Sequence, residues 1–387
     1  MVEPAKRIYL SAPHMSGLEQ GYVNEAFATN WLSSVGPNLD AFEREFEAVV
    51  GLSGVALASG TAAIHLGLQL LDIGPGDEVI CPSFTFVATA NPIRYLGGAP
   101  VFVDSERTSW NIDPNLIEDA LKQRPRIRAI IVVHLFGQSA DMAPILELSK
   151  KYSVPVLEDC AEALGTTYRG RHVGQDSPVS AFSFNGNKII TTTGGGMLVA
   201  RDRAWVEKAR FWSTQARDPG IGYSHTQQGY NYRLSNVLAG IGRGQLQVLP
   251  ERVAARRRIA FRYQAAFADL DGLSLMPQAA WGLHTNWLSC FVVESSKLGA
   301  SRDAIIEALA AENIEARPVW KPMHRQPLFK GCPMFGGGVS EDLAASALCL
   351  PSSSGLTDAE QSRVIDTVRR LVKSPRLSSF GSGALSV

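Results

Sequence analysis

The sequence predicts an α/β protein built around a largely parallel, buried β-sheet. Between about residues 50 and 200, short runs rich in β-branched residues alternate with longer segments of helical periodicity, which is typical of βα units. Some of the runs, such as residues 129–133, are apolar throughout, as expected for strands covered on both faces. The length of 387 residues is too great for one small core and indicates two or three domains.

The individual elements follow from the same alternation. Strands are predicted over residues 54–58, 78–81, 101–104, 129–135, 154–158, 179–184 and 197–200. Helices are predicted between and after them, over residues 61–71, 85–96, 115–121, 143–151 and 204–212. The carboxyl ends of such strands share one edge of the sheet, and that edge is where ligands bind in open α/β folds.

A second region begins near residue 251. It contains a strand predicted over residues 288–293 and helices over 302–312 and 358–372. We therefore predict a large domain over residues 1–250, including the N-terminal segment, and a smaller C-terminal α+β domain over residues 251–373. The tail, residues 374–387, is rich in serine and glycine and is expected to be disordered.

Charge and cysteine content restrict the class of partner. Acidic and basic residues balance at 37 each, so neither nucleic acid nor an anionic membrane surface is favoured as a partner. The second region begins with a helix rich in arginine, and its pattern predicts a solvated face or a subunit contact: Arg252, Arg256, Arg257, Arg258 and Arg262. The five cysteines have no CxxC spacing, which argues against a metal site or a disulfide framework. With no signal-peptide pattern at the N-terminus, a cytoplasmic protein with a small-molecule substrate is expected.

The stretch Ser59-Gly60-Thr61 places a glycine turn between a strand and a helix. The free N–H groups at a helix start, together with a hydroxyl group, favour a phosphate. Thr61 and the backbone of Ala62 are the expected donors, although a simple helix cap explains the motif equally well.

Two further groups lie at the predicted carboxyl edge of the sheet. Phe86 could stack on a flat cofactor, although a core role for it or for Phe84 fits equally well. Asp159 ends a strand, and a carboxylate there can pair with a protonated pyridine nitrogen. Glu162 follows three residues later and could contact the same ring or the substrate; a helix-start role is the alternative for these acids.

Lys188 is the most informative residue of the chain. It follows a predicted strand and precedes the cluster Gly194-Gly195-Gly196. A lysine in an apolar, glycine-rich setting loses part of its preference for the charged form, so it can form an imine with pyridoxal phosphate and then move a proton. Ser183, on the preceding strand, could direct its hydroxyl group toward the phosphate.

The motifs occur in a characteristic order, which is Ser59-Gly60-Thr61-Ala62, Pro82-Ser83-Phe84-Thr85-Phe86, Glu158-Asp159-Cys160-Ala161-Glu162, Phe182-Ser183-Phe184 with Lys188 and Gly194-Gly195-Gly196, and Gly229-Tyr230-Asn231-Tyr232-Arg233. In this order they resemble the DegT/DnrJ/EryC1/StrS nucleotide-sugar aminotransferases over nearly the whole chain. The resemblance implies a type I aminotransferase fold, a large domain with a mixed, mostly parallel sheet, pyridoxal 5'-phosphate as the cofactor, and a homodimer with shared active sites.

The resemblance also implies roles for single residues. Lys188 matches the lysine that binds the cofactor covalently, Asp159 the partner of the pyridine nitrogen, and Phe86 the residue stacked on the ring. The matches to phosphate ligands are Thr61, Ala62 and Ser183, together with Asn231, which would act on the site of the other subunit.

A narrower resemblance concerns the substrate. Residues 8–17 and 185–192 are similar to the 4-aminotransferases of the UDP-bacillosamine route. That similarity implies L-glutamate as donor and UDP-2-acetamido-4-keto-2,4,6-trideoxyglucose as acceptor. The segment 317–324 is also similar, which makes Arg317, Trp320 and His324 candidates for contacting the nucleotide sugar or the donor. A core position for Trp320 and a hydrogen-bonded loop position for His324 are the alternatives.

Three alternatives compete with this interpretation, and the sequence argues against two of them. A GDP- or dTDP-linked keto sugar could be the acceptor, as in perosamine synthesis. The related dehydratases carry histidine in place of the lysine, so Lys188 argues against dehydration. A non-catalytic regulator would need a DNA-binding segment, and the sequence offers no helix-turn-helix candidate.

Overall fold

The computed structural model describes residues 6–373. The bounds of the helices and strands within this range are given next. The helices are α1 Glu19–Ala28, α2 Pro37–Val50, α3 Gly60–Leu70, α4 Val87–Tyr95, α5 Pro114–Gln123, α6 Met142–Tyr152, α7 Arg203–Ser213, α8 Asn236–Gln247, α9 Leu249–Ala266, α10 Ser295–Leu298, α11 Arg302–Ala311, α12 Gly338–Ser346 and α13 Asp358–Lys373. The strands are β1 Gly54–Leu57, β2 Glu78–Pro82, β3 Ala99–Val103, β4 Ile127–Val133, β5 Val156–Asp159, β6 Thr167–Tyr168, β7 Arg171–His172, β8 Val179–Ser183, β9 Gly196–Ala200, β10 Leu273–Leu275, β11 Gly282–Leu283, β12 Ser289–Val293, β13 Arg317–Pro318, β14 Met334–Phe335 and β15 Ala347–Leu350.

The large sheet has the strand order β1-β9-β8-β5-β4-β2-β3-β14. The pairs from β8 to β14 are parallel, whereas β9 pairs antiparallel with both β8 and β1. Residues of β4 alternate between two apolar clusters, with Ile130 and Val132 in one and Ala129 and Ile131 in the other. The predicted α/β class with a mostly parallel sheet, buried on both faces, is confirmed.

One predicted strand begins two residues too early. Residues 154–158 were expected, but β5 runs over Val156–Asp159. Ser153 ends α6 in the left-handed region with φ 56°, and the N–H of Val154 closes that helix end on the carbonyl of Ser149. As a result Asp159 is the last residue of the strand and lies at its carboxyl edge.

Helix α8 was not predicted, because three glycines interrupt its sequence and glycine lowers helix propensity. The structure gives the reason for them: a Cβ on Gly242 would lie 2.7 Å from the ring of Phe42, and one on Gly244 would lie 2.9 Å from the backbone of Glu19. The glycines allow α8 to pack closely against α1 and α2. Packing, rather than propensity, therefore determines this helix.

The smaller sheet has the order β10-β12-β15-β13, and its neighbours are antiparallel. The chain then returns to the large sheet, where β14 pairs with β3, and near the N-terminus Ile8 pairs with Ile314. The division at residue 250 stays a prediction. Residues after 250 pair with residues before it, as β14 with β3 and Ile314 with Ile8 show.

The arginine-rich helix is α9, and its prediction as a solvated face is wrong for two residues. Arg252 and Arg256 are buried, with 7% and 1% exposure.

The predicted disordered tail, residues 374–387, lies outside the described residues. Among residues 6–373 we find no helix that is both long and apolar enough to cross a membrane.

Candidate active site

A cavity of about 260 Å³ lies at the carboxyl edge of the large sheet. It is lined by residues at the ends of three neighbouring strands and at the start of α3: Val133, Asp159, Ser183, Gly60 and Thr61. Lys188 reaches the same cavity from the loop after β8. The position agrees with the rule that ligands of open α/β sheets bind outside the carboxyl ends of the strands.

Lys188 is buried beside an indole ring and the carboxyl group of Glu162. Its Nζ lies 4.0 Å from the ring centroid of Trp287 and 3.9 Å from Oε1 of Glu162. Burial lowers the pKa of Lys188, although the charges of Glu162 and Asp159 oppose the change. A larger fraction of the amine is then uncharged near neutral pH, and the uncharged form is the one that acts as a nucleophile and accepts a proton.

Asp159 is 4% exposed and is positioned by two hydrogen bonds. Thr89 donates its hydroxyl to Oδ2 at 2.8 Å, and the N–H of Ala161 donates to Oδ1 at 3.1 Å. Burial raises the pKa of Asp159 despite these bonds. The carboxyl group would therefore be stabilised as an anion by a cation placed in the cavity.

Glu162 lies beside Lys188, with 5% exposure. The N–H of Phe136 donates to its Oε2 at 2.7 Å. Burial raises the pKa of Glu162 to about 7, although the charge of Lys188 and the bond from Phe136 oppose the rise. A carboxyl group with this pKa can both hold and release a proton near neutral pH.

The opposite end of the cavity suits an anion. Ser59 caps α3 by accepting a hydrogen bond from the N–H of Ala62 at 3.0 Å, so this N–H has a protein partner while Gly60 and Thr61 lie at the open helix start. Gly196 brings β9 against this turn, because a Cβ there would lie 2.5 Å from the backbone of Ser59. The helix start and its hydroxyls form a site that favours phosphate.

An aromatic wall closes one side of the cavity. The ring of Trp320 lies 5.3 Å from that of Phe86 and is stacked at 5.8 Å on that of Phe136. Phe136 in turn stacks on Trp287. Phe86 is 49% exposed and lines the cavity, whereas Phe84 is buried at 1%. Of the two phenylalanines considered from sequence, only Phe86 can reach a ligand here.

Four predicted site residues do not line this cavity, and one of them is Ala62, which is buried behind the helix start. Asn231 is exposed and lies in a bridge opposite Thr214. Arg317 is exposed and forms an ion pair with Glu315 at 2.9 Å. His324 bonds through Nδ1 to Ser83 at 2.6 Å and through Nε2 to Glu341 at 2.9 Å. The structure thus brings Trp320, but neither Arg317 nor His324, to the cavity.

Sequence reasoning assigned no role to Trp287 or Thr89. Thr89 lies four residues after Thr85, whose hydroxyl it contacts at 2.9 Å, and its position three residues beyond the motif that ends at Phe86 was an available signal. Trp287 lies about 100 residues beyond Lys188 in the sequence. No local pattern connects those two positions.

Glu158, the neighbour of Asp159, is structural. It is fully buried and accepts hydrogen bonds from the N–H groups of Gly174 and Ser177, and from Nε2 of His134. Burial alone would raise its pKa, but these bonds and His134 lower it to about 2. His134, Glu158 and Cys160 offer ligand atoms within 4.8 Å of one another, yet the carboxylate oxygens already have protein donors.

A family model described as the DegT/DnrJ/EryC1/StrS aminotransferase family matches residues 13–369. The chain belongs to this family. The resemblance inferred from the motifs is confirmed, and the protein is a pyridoxal-phosphate-dependent sugar aminotransferase.

Relatives of this DegT/DnrJ/EryC1/StrS aminotransferase match it over almost their full length. EpsN of Bacillus subtilis (strain 168), to which a pyridoxal phosphate-dependent aminotransferase activity is ascribed, is 51% identical over 95% of this chain and 96% of its own. The GDP-perosamine synthase of Caulobacter vibrioides is 40% identical over 93% and 96%. The aminotransferase TlmJ of Streptoalloteichus hindustanus is 31% identical, with a TM-score of 0.88 over 94% of this chain and 98% of that structure.

The expected cofactor is also confirmed for the family. Spr1654 of Streptococcus pneumoniae, to which a sugar aminotransferase activity is ascribed, was solved in pyridoxal phosphate and pyridoxamine phosphate forms. It is 26% identical, with a TM-score of 0.87 over 95% of this chain. The cavity fits such a group, because it combines a buried carboxyl group whose pKa is raised by burial, a lysine and a helix start.

Proposed function

We propose that this enzyme transfers the amino group of L-glutamate to C4 of UDP-2-acetamido-4-keto-2,4,6-trideoxyglucose in the cytoplasm. The product would be UDP-4-amino-4,6-dideoxy-N-acetylglucosamine, for use in glycan or polysaccharide synthesis. The observation that carries the aminotransfer is that Lys188, Asp159 and Glu162 line one cavity, with Nζ of Lys188 3.9 Å from Oε1 of Glu162. The use of the product is supported by SpsC of Bacillus subtilis (strain 168), a spore coat polysaccharide biosynthesis protein that is 35% identical.

The residues of the cavity divide into two groups around the cofactor. Pyridoxal phosphate, when bound, supplies an electron-poor ring that can carry an amino group between two substrates. Asp159 would hold the ring nitrogen in its protonated form, and Phe86 would cover one ring face. The phosphate would lie at the helix start and be held by Thr61, Ala62 and Ser183, with the Ala62 N–H shared with or released from Ser59.

Lys188 would transfer protons to and from the substrate carbons, and Glu162 would act on the charge of Lys188. The burial of the site favours an uncharged amine at Lys188 Nζ, so this atom can accept a proton from a substrate carbon and return it to another carbon. Glu162 lies 3.9 Å from the same nitrogen, where its charge stabilises the protonated amine.

The two sequence segments that resemble UDP-bacillosamine aminotransferases lie side by side, which supports a UDP-linked acceptor. Ser11 donates its hydroxyl to the carbonyl of Asn187 at 2.7 Å. Both segments line a second cavity of about 430 Å³, which shares Asn187, Trp287 and Trp320 with the first. A sugar nucleotide could extend from one cavity into the other.

A second candidate acceptor is a GDP-linked keto sugar, since a GDP-perosamine synthase is 40% identical. Turnover with L-glutamate should be compared on UDP-, GDP- and dTDP-linked 4-keto-6-deoxy sugars by measuring 2-oxoglutarate. We expect kcat/KM on the UDP sugar to exceed the others by about 100-fold or more. A higher value on the GDP sugar would transfer the assignment to the second candidate, and no 2-oxoglutarate with any sugar would refute both.

A homodimer with shared active sites is part of the proposal. Large apolar side chains are exposed on α1 and on the loop that follows it, and they form a surface suited to a second copy: Phe27, Trp31, Leu32 and Val35. Asn231 is exposed in the single chain. This exposure is expected of a residue that contacts the phosphate in the active site of the other subunit. Sedimentation equilibrium should give twice the chain mass of 41.8 kDa; a monomer at micromolar concentration would contradict the shared site.

A further inference from the structure

Arg256 on α9 lies beneath the loop that carries Lys188. Its side chain is 1% exposed, and it donates four hydrogen bonds. Nη1 contacts the carbonyls of Trp287 at 2.6 Å and Ser352 at 2.9 Å, while Nη2 contacts the hydroxyl of Ser11 at 3.1 Å and the carbonyl of Lys188 at 3.3 Å. One guanidinium thus connects four separate segments of the chain.

All four acceptors are uncharged, which is unusual for a buried cation. A buried charge costs free energy unless a counter-charge compensates it, and burial lowers the pKa of Arg256. Its Nε is buried without a hydrogen-bond partner among the described residues. An arrangement that costs stability next to a reactive group points to a functional role.

The loop around Lys188 depends on such contacts for its geometry. Lys188 lies beyond the end of β8, outside the sheet hydrogen bonds. The preceding carbonyl, that of Asn187, accepts from the hydroxyl of Ser11 at 2.7 Å and from the indole N–H of Trp287 at 2.8 Å. Both peptide carbonyls flanking the reactive residue are therefore held by side chains from distant segments, and Arg256 also binds two of those segments.

We propose that Arg256 is a positioning residue for Lys188, anchoring the backbone of the reactive lysine to the N-terminal segment, to Trp287 and to the loop after β15. The inference rests on the role of Lys188 proposed above. Arg256 does not line either cavity, so it acts through Lys188 and not on the substrate. Its charge faces Lys188 together with the carboxyl groups of Asp159 and Glu162, and it opposes their effect on the amine.

Replacing Arg256 with methionine tests the proposal, because methionine keeps an unbranched apolar stem and removes every donor. In the holoenzyme we expect kcat to fall by about 10- to 100-fold through misplacement of Lys188, with less than about a threefold change in KM. The pH midpoint of the cofactor absorbance band should rise by about 0.5–1.5 units, since a cation that disfavours protonation at Lys188 Nζ is lost.

Arg257→Met is the matched control. Arg257 is the next residue of α9 and also donates to backbone carbonyls, those of His284 at 2.8 Å and Leu283 at 3.4 Å, but it does not contact the Lys188 loop. This variant should keep the parent kcat and midpoint. A folded Arg256→Met enzyme with the parent kcat and midpoint would overturn the proposal.

Arg256→Lys keeps the inference testable if the methionine variant does not fold. It retains the charge but cannot reach four acceptors, so the midpoint should stay within about 0.3 unit of the parent while kcat falls about 5- to 10-fold. Parent kcat in this variant would overturn the anchoring role. The midpoint requires only bound pyridoxal phosphate, so a wrong assignment of the sugar leaves this result unaffected.

Discussion

Replacing Lys188 with alanine should reduce 2-oxoglutarate formation by at least about 10³-fold. The change removes both the nucleophile that binds the cofactor covalently and the base that moves the proton, and a positioned base alone contributes about 10²–10⁴-fold. Single-turnover and steady-state assays with L-glutamate and the keto sugar would measure the loss. Borohydride treatment of the parent enzyme with pyridoxal phosphate should label one peptide, the one containing residue 188.

Lys150→Ala is the control for this prediction. Lys150 is exposed on α6 and far from the cavity lining, so its replacement should leave turnover and labelling unchanged. Borohydride labelling that persists on the same peptide region in Lys188→Ala, or turnover within tenfold of the parent, would show that another amine serves as the nucleophile.

Replacing Asp159 with asparagine should lower kcat by about 10²–10³-fold, the usual effect of removing one preorganised electrostatic group from an active site. The amide has nearly the same shape and can keep a contact with Thr89, but it cannot stabilise a protonated ring nitrogen. The measurement is kcat at pH 7 together with the dissociation constant of pyridoxal phosphate, which should rise. Retention of full kcat would remove Asp159 from the mechanism.

Thr89→Val provides a graded comparison for Asp159→Asn. It deletes the hydroxyl that donates to Asp159 at 2.8 Å and leaves the carboxylate in place. A hydrogen bond to a charged group is worth about 1.5–3 kcal/mol, so kcat should fall about 10- to 100-fold, less than for Asp159→Asn. An effect larger than that of Asp159→Asn would indicate a direct role for the threonine.

Much of the site could be predicted because its signals are local. Asp159 ends a strand, Thr61 begins a helix and Lys188 follows the next strand, and the parallel sheet brings these ends to one edge. Arg317 and His324 were less predictable. They are close to Trp320 in sequence, but Arg317 pairs with Glu315 and His324 bonds to Glu341. Of the three residues, only Trp320 lines the cavity.

The sequence by itself determined the α/β class, the family, the cofactor and the lysine and carboxylate at the centre of the cavity, because alternation, strand ends and motif order are properties of neighbouring residues. Only the tertiary structure decided that α8 is a helix despite its glycines, that Trp287 lies under Lys188, and that Arg256 is buried against the lysine loop. Each of these depends on contacts between segments far apart in the chain, whose packing overrides local propensity and leaves no periodic pattern to detect.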